Sequence, residues 1–235
     1  MKYYKIAGLT VAMDSFGKTV EQAKPYLAET VDEPDIIISS NPKKLKEKAP
    51  NLSDESCEYL STGNSFYRQL LNYDGTVLHS SAVVVDGVAY LFTAPSGTGK
   101  STHTALWLKV FGERAFILND DKPAIRLEGG EFFAYGTPWS GKTDQNLNCR
   151  VPLGGICILR RGEENVIERA YGKTAIKGIF SQMLRPKNEE YANKALFLLE
   201  RLIAQVPVWQ MHCNMNDDAA LVSYEAMSGA SSKTN

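Results

Sequence analysis

The chain has no apolar run long enough to span a membrane. Its first residues, Met1 to Lys5, lead into a short strand-like stretch without the apolar region and cleavage site of a secretion signal. A cytoplasmic protein is expected. Cysteine is scarce and scattered: Cys57, Cys149, Cys157 and Cys213 form no C-x-x-C pair, which speaks against a zinc site and, in a reducing compartment, against a disulfide framework. An excess of one charge is missing too. With 26 Lys and Arg against 27 Asp and Glu, the net charge of -1 offers no general attraction to nucleic acid or to an anionic membrane, and neither is expected as a partner. What remains is an ordinary globular composition, 43% hydrophobic and 23% charged, over 235 residues, which suits one large domain or one domain with a smaller appendage.

Against that background one stretch stands out, Ala94-Pro95-Ser96-Gly97-Thr98-Gly99-Lys100-Ser101. It lies between an apolar run, Val88 to Phe92, and a segment of helical character, Thr102 to Phe111, so the order is strand, glycine-bearing loop, helix. That order is the phosphate-binding loop: consecutive backbone N–H groups and a helix N-terminus face the anion, and glycines let the backbone approach it. Ala94 stands where the strict pattern has glycine, while the core from Ser96 to Ser101 is intact. Ser96, Gly97, Thr98, Gly99, Lys100, Ser101 and Thr102 are the candidate nucleotide contacts. Lys100 would reach the outer phosphates as a point charge, and the Ser101 hydroxyl would take a place on Mg²⁺.

Around the loop the chain alternates strand and turn signals. Val77 to Val85 and Val88 to Phe92 flank Asp86-Gly87, a strong hairpin signal, so the loop is fed by the second strand of a hairpin. The apolar run Ala115 to Asn119 ends in Asp120-Asp121, as a buried strand does when it delivers carboxylates to a metal edge. A second hairpin, Ala124–Leu127 and Glu131–Tyr135, leads to Gly136-Thr137-Pro138-Trp139-Ser140-Gly141-Lys142. Two readings of that loop are open: Thr137, Ser140 and Lys142 contact substrate, or the loop is a wide turn with Trp139 packed on the core. Val151 to Arg160 is expected as a strand, Thr174–Leu184 and Glu189–Ile203 as helices, Val206–Met211 as a late strand and Ala219–Met227 as the last helix. Residues 1–70 are expected to form a strand-and-loop appendage, with one strand from Tyr3 to Met13, another at Ile36–Ile38 and a solvated lysine-rich run at 43–48. Residues 71–228 would then form the main domain and 229–235 a disordered tail.

His79 before the hairpin, the loop through Ser101 and the Asp120-Asp121 pair together resemble the bacterial HPr serine kinase/phosphorylase family, whose P-loop fold is shared with ATP-dependent phosphoenolpyruvate carboxykinase. The resemblance implies an α/β fold with a mixed sheet, hairpins and helices packed on it. It also implies an ATP- and Mg²⁺-dependent kinase in which Asp120 accepts the hydroxyl proton, His79 sits beside that carboxylate, and Ser101 and Asp121 hold the metal. The chain looks most like the shorter HPr-kinase-like proteins, some of which phosphorylate serine on peptides made in bacterial biosynthetic clusters. A peptide or protein carrying serine is therefore the expected partner, and a homo-oligomer is compatible with the family. A nucleotide-binding regulatory module without turnover, a small-molecule kinase acting on free serine and, more remotely, carboxykinase-like chemistry are the alternatives. His103 and His212 are read as structural.

Overall fold

Three dipeptides reverse the chain at positive φ. Ala7-Gly8 (52° and 77°), Asp86-Gly87 (51° and 78°) and Gly129-Gly130 (60° and 92°) each close a two-residue hairpin, the turn whose twist matches paired strands. The first hairpin joins β1 (Lys2–Ile6) to β2 (Leu9–Met13), so the single strand expected from Tyr3 to Met13 is two strands. The computed structural model describes residues 1–29 and 33–231. After β2 come α1 (Lys18–Ala23), β3 (Leu27–Ala28), β4 (Ile36–Ile38), α2 (Pro42–Lys48) and α3 (Asp54–Leu70). The first sheet has the order β3-β1-β2-β4.

The lysine-rich run is the surface of α2, which buries no residue fully and is capped by the Asn41 side chain, the acceptor for Lys44 N–H at 3.0 Å. Helix α3 was not expected. Ser53 caps it, accepting from Ser56 N–H at 3.0 Å, and Asp54 and Glu55 suit its first turn. Its buried face carries Glu58, Thr62, Gly63 and Ser65 beside Phe66 and Leu70, so the apolar periodicity that marks a helix is masked. Phe66 and Leu70 share one apolar core with Tyr4, Val11 and Ile36 of the first sheet and with Val77, Phe133 and Trp139 further along, so the packing runs across residue 70.

The second sheet contains β5 (Gly75–Val77), β6 (Ser80–Val85), β7 (Val88–Thr93), β8 (Ala115–Asn119), β9 (Ala124–Glu128), β10 (Glu131–Tyr135), β11 (Arg150–Arg161), β12 (Val166–Arg169) and β13 (Val208–Cys213). Its order is β5-β9-β10-β11-β7-β6-β8, with β13 on β11 and β12 on β13. The long β11 holds it together, antiparallel to β10 at its start and parallel to β7 and β13 thereafter. The switch occurs at an irregularity between Leu153 and Gly155, where a Cβ on Gly155 would lie 2.6 Å from the Trp209 ring.

Alternate residues of β6 and β7 serve two cores. Ala82, Val84, Ala89 and Leu91 meet α5 (Gly172–Phe180) and α6 (Glu189–Gln205) through Ala175, Ile179, Leu199 and Leu202. Val83, Val85, Tyr90 and Phe92 meet α4 (Lys100–Phe111) and α7 (Asp218–Ser231) through Trp107, Ala219, Ala220 and Met227. The result is a mixed sheet with hairpins and with helices on both faces, and the resemblance implies such a sheet with helices packed on it. Helix α7 takes in residues 229–231 of the expected tail, and 232–235 lie outside the described residues. No helix among the described residues is long and apolar enough to cross a membrane.

Five strand ends meet at one edge of this sheet. Strands β7, β8, β11 and β13 all end there, and β6 begins there, because β6 is antiparallel to both β7 and β8 while β11 and β13 run parallel to β7.

Candidate active site

The phosphate-loop sequence leaves β7 at this edge and enters α4 directly. Gly97 and Gly99 take φ of 77° and 121°, a region that strains any residue with a Cβ. Gly99 is the N-cap and contributes no side chain, so the first-turn N–H groups of α4 have no side-chain cap. Ala94, in place of the glycine of the strict pattern, is buried in the core under α4, and its carbonyl accepts from Lys100 Nζ at 3.0 Å. Lys100 is 8% exposed. Burial pushes its ammonium pKa down, Asp121 and Asp120 oppose that, and Lys122 adds to it. Ser96, Gly97, Ser101 and Thr102 are exposed, and the Thr98 hydroxyl closes the loop by donating to Pro95 O at 2.9 Å.

Arg161, at the end of β11, braces this loop from outside, donating through Nη2 to Gly97 O at 2.5 Å and through Nε to Thr98 O at 3.4 Å. It lies one residue beyond the strand expected from Val151 to Arg160.

The two aspartates face different neighbours. Asp120 is buried and accepts from Ser81 Oγ at 2.5 Å. Ser81 also pairs with Thr104 Oγ1 at 2.8 Å, and that hydroxyl bonds back to the carbonyls of Lys100 and Ser101 in the first turn of α4. Asp121 points the other way. Its Oδ1 lies 3.2 Å from His79 Nε2 and 3.1 Å from Lys122 Nζ. Burial pushes the Asp121 carboxyl up, but the hydrogen bond from His79 and the Lys122 charge outweigh it and hold the group below its ordinary value. The histidine thus sits beside Asp121 and not, as expected, beside Asp120. Its Nδ1 is 3.1 Å from Gln182 Oε1, and its backbone N–H donates to Gln182 O at 2.9 Å.

Asn119 shapes the turn that separates the two carboxylates. Its Oδ1 accepts from the N–H groups of Asp121 (2.9 Å) and Lys122 (2.7 Å), while Nδ2 donates to Thr137 O at 2.8 Å. Thr137 returns a bond from Oγ1 to Lys122 O at 2.7 Å. Thr137 and Ser140 are fully buried, and Ser140 Oγ accepts from Asn146 Nδ2 at 2.9 Å. These two hydroxyls hold the loop in place and do not face open space. Trp139 is buried as well, stacked on Phe66 with ring centroids 5.0 Å apart. The loop therefore packs through Trp139, and of the three candidate contacts Lys142 alone is exposed.

Gly141 backs Asp121 so closely that a Cβ would lie 2.9 Å from the aspartate's own Cβ, and its φ is +70°. The N-terminal part of the chain grips this residue. Gly141 N–H donates to Tyr59 OH at 2.9 Å, and its carbonyl accepts from Lys18 Nζ and, at 3.3 Å, from Gln22 Nε2.

Three clefts open from the edge: one of about 390 Å³ is lined by Pro95, Arg160, Lys173 and Lys177, and two others take in the motif residues. Of these two, one, of about 510 Å³, lies along the phosphate loop and is lined by Gly97, Gly99, Thr102, Leu106 and Arg161. The other, of about 270 Å³, has His79, Asp121, Lys122 and Gln182 at its polar end. His103 occupies neither role of catalyst nor base. It is buried 3.1 Å from Ser223 Oγ, and burial pushes its ring down to about 4.

No protein-family model matches the chain, and no curated protein sequence matches it. Among solved structures it is similar to the Hpr(Ser) kinase/phosphatase from Coxiella burnetii, at 10% identity and a TM-score of 0.40, over 68% of this chain and 99% of that one.

Proposed function

We propose that the chain is an ATP- and Mg²⁺-dependent phosphotransferase that moves the γ-phosphoryl group to a serine-type hydroxyl on a protein or peptide. The observation that carries this reading is the meeting, at one sheet edge, of the Lys100 phosphate loop with a His79–Asp121 pair that opens on a cleft of its own. A module that only binds nucleotide has no use for a second cleft ending in a carboxylate.

The residues present fit both groups. Two glycines at positive φ, an uncapped helix start and Lys100 suit a triphosphate, and the Ser101 hydroxyl and Asp120 carboxylate are the hard oxygen donors that Mg²⁺ takes. Asp120 is favoured over Asp121 as the metal carboxylate because Ser81 and Thr104 tie it to the turn that carries Ser101. The metal, when bound, neutralises charge on the phosphate oxygens.

Asp121 then takes the acceptor proton. The hydroxyl O–H bond breaks, the new O–P bond forms, and the bond from γ-phosphorus to the bridging oxygen breaks with its electron pair leaving on ADP. The proton goes to Asp121, which His79 orients. Little base strength is demanded in such a transfer, where alignment and charge neutralisation carry most of the work. A carboxylate held ionised below its ordinary range suits that modest role. Arg161 keeps the phosphate loop in shape, and Lys142, exposed but outside the lining of the Asp121 cleft, can meet an acidic group only on a part of the acceptor away from the serine and its neighbours.

The test is transfer from labelled ATP with Mg²⁺ to serine-containing peptides. Lys100→Ala and Asp121→Asn are each expected to lower kcat/KM by about 10²–10⁴. Asp121→Asn should retain nucleotide affinity. Unimpaired transfer by both variants would overturn the proposal.

A further inference from the structure

The cleft at Asp121 is closed on its far side by residues outside the motif region. Tyr59, Leu60, Asn64 and Tyr67 project from α3, and Met183 and Leu184 come from the segment after α5. This wall is apolar apart from the Asn64 amide and the two phenol groups. Leu60 is 44% exposed, so it offers apolar surface that nothing among the described residues covers. The volume of about 270 Å³ falls just below the range of about 300–1,000 Å³ typical of whole small-molecule sites. It is room for one or two side chains.

The charges that line the cleft are already matched. Asp121 is paired with Lys122 and His79, and no other residue of the lining carries a charge. The ammonium and carboxylate of a free amino acid would find no partner there, and placing them against an apolar wall is costly. A peptide has neither charge next to an internal serine. The Asn64 side chain is exposed and makes no hydrogen bond among the described residues, and its amide offers the donor and acceptor that a peptide group requires.

We infer that this cleft is a specificity subsite for a peptide acceptor: it receives an apolar side chain adjacent to the serine, against Leu60, Tyr67, Met183 and Leu184, while Asn64 meets the peptide backbone and Asp121 the hydroxyl. The inference rests on the phosphotransfer reading and adds to it which acceptors are chosen. It also gives the N-terminal part of the chain a task, since α3 builds the selective wall.

The experiment is phosphorylation of a pool of short peptides with a central serine and randomised neighbours, read by mass spectrometry. Products should be enriched about tenfold or more in Leu, Met, Ile or Phe beside the serine, over Asp, Glu or Lys. Leu60→Lys, a change at a half-exposed site, should erase that enrichment without changing the KM for ATP. A second measurement needs no turnover: the best peptide with serine replaced by alanine should bind the wild-type chain at least about tenfold tighter than the same peptide carrying aspartate as the neighbour. Phosphorylation without apolar bias, bias unaffected by Leu60→Lys, or free serine used as well as the best peptide would each overturn the subsite alone. A pool with no phosphorylated peptide, while ATP binds in a Lys100-dependent way, would overturn the phosphotransfer reading and the subsite with it. The two failures are therefore told apart.

Discussion

The two sides of the proposed site, one for phosphate and one for acceptor, are built on opposite principles. On the phosphate side a contiguous segment, Ala94 to Thr102, supplies backbone donors, two glycines and one lysine, and a single arginine braces it. On the acceptor side Asp121 is backed by Gly141, walled by α3 and the segment after α5, and fixed through a buried tryptophan. Phosphate recognition depends on a local conformation and a few charge-assisted bonds. Acceptor recognition depends on shape, and shape here is assembled from packing between distant parts of the chain. Damage to the first should appear in nucleotide kinetics, and damage to the second in stability and acceptor use.

Trp139→Ala should give the largest effect. The ring is fully buried against Phe66, Tyr67 and Gly63, and its removal is expected to cost about 3–5 kcal/mol of unfolding free energy. Urea titration measures it. In the folded fraction, nucleotide affinity should stay within about twofold of wild type; a comparable loss there would break the division between the two sides.

Arg161→Ala is the converse. Stability should hardly change, because the guanidinium is exposed, while KM for ATP should rise about tenfold as the loop loses its brace. A rise in acceptor KM instead would place Arg161 on the wrong side of the comparison.

The smallest effect is in pH dependence. The proposed transfer needs Asp121 ionised, and its carboxyl lies below the ordinary value, so activity should persist as the pH falls into the ordinary carboxylate range and drop only beneath it. Burial is the influence that raises this group, and the His79 hydrogen bond is the leading one that lowers it. His79→Ala should therefore shift the acid limb of the kcat profile to higher pH. An unmoved limb would detach His79 from Asp121 functionally.

The same contrast explains what could be read from the sequence. Local signals were legible: the Asp86-Gly87 hairpin, the phosphate loop, and the strand ending in Asp120-Asp121 all lie where their residue types require. The partner of His79 was not legible, since adjacent aspartates leave a strand end in different directions and only the Asn119 turn decides which faces the histidine. Helix α3 was hidden by a polar buried face. Thr137 and Ser140 looked like contact hydroxyls because buried and open hydroxyls have the same sequence appearance, and Arg161 acts through a bond to a segment 63 or 64 residues away.

Gly141 has one more consequence, and it concerns time. Its carbonyl is bonded by Lys18, 123 residues earlier, and its N–H by Tyr59, 82 residues earlier. Contacts of such separation form late in folding, because the ends of a long loop must meet before the bond rewards them. During synthesis the first 70 residues wait with that grip empty while the phosphate loop is made. Lys18 and Tyr59 must therefore wait for residue 141 to be made before the backing of Asp121 can close, and the phosphate loop waits longer still for Arg161 and helix α7.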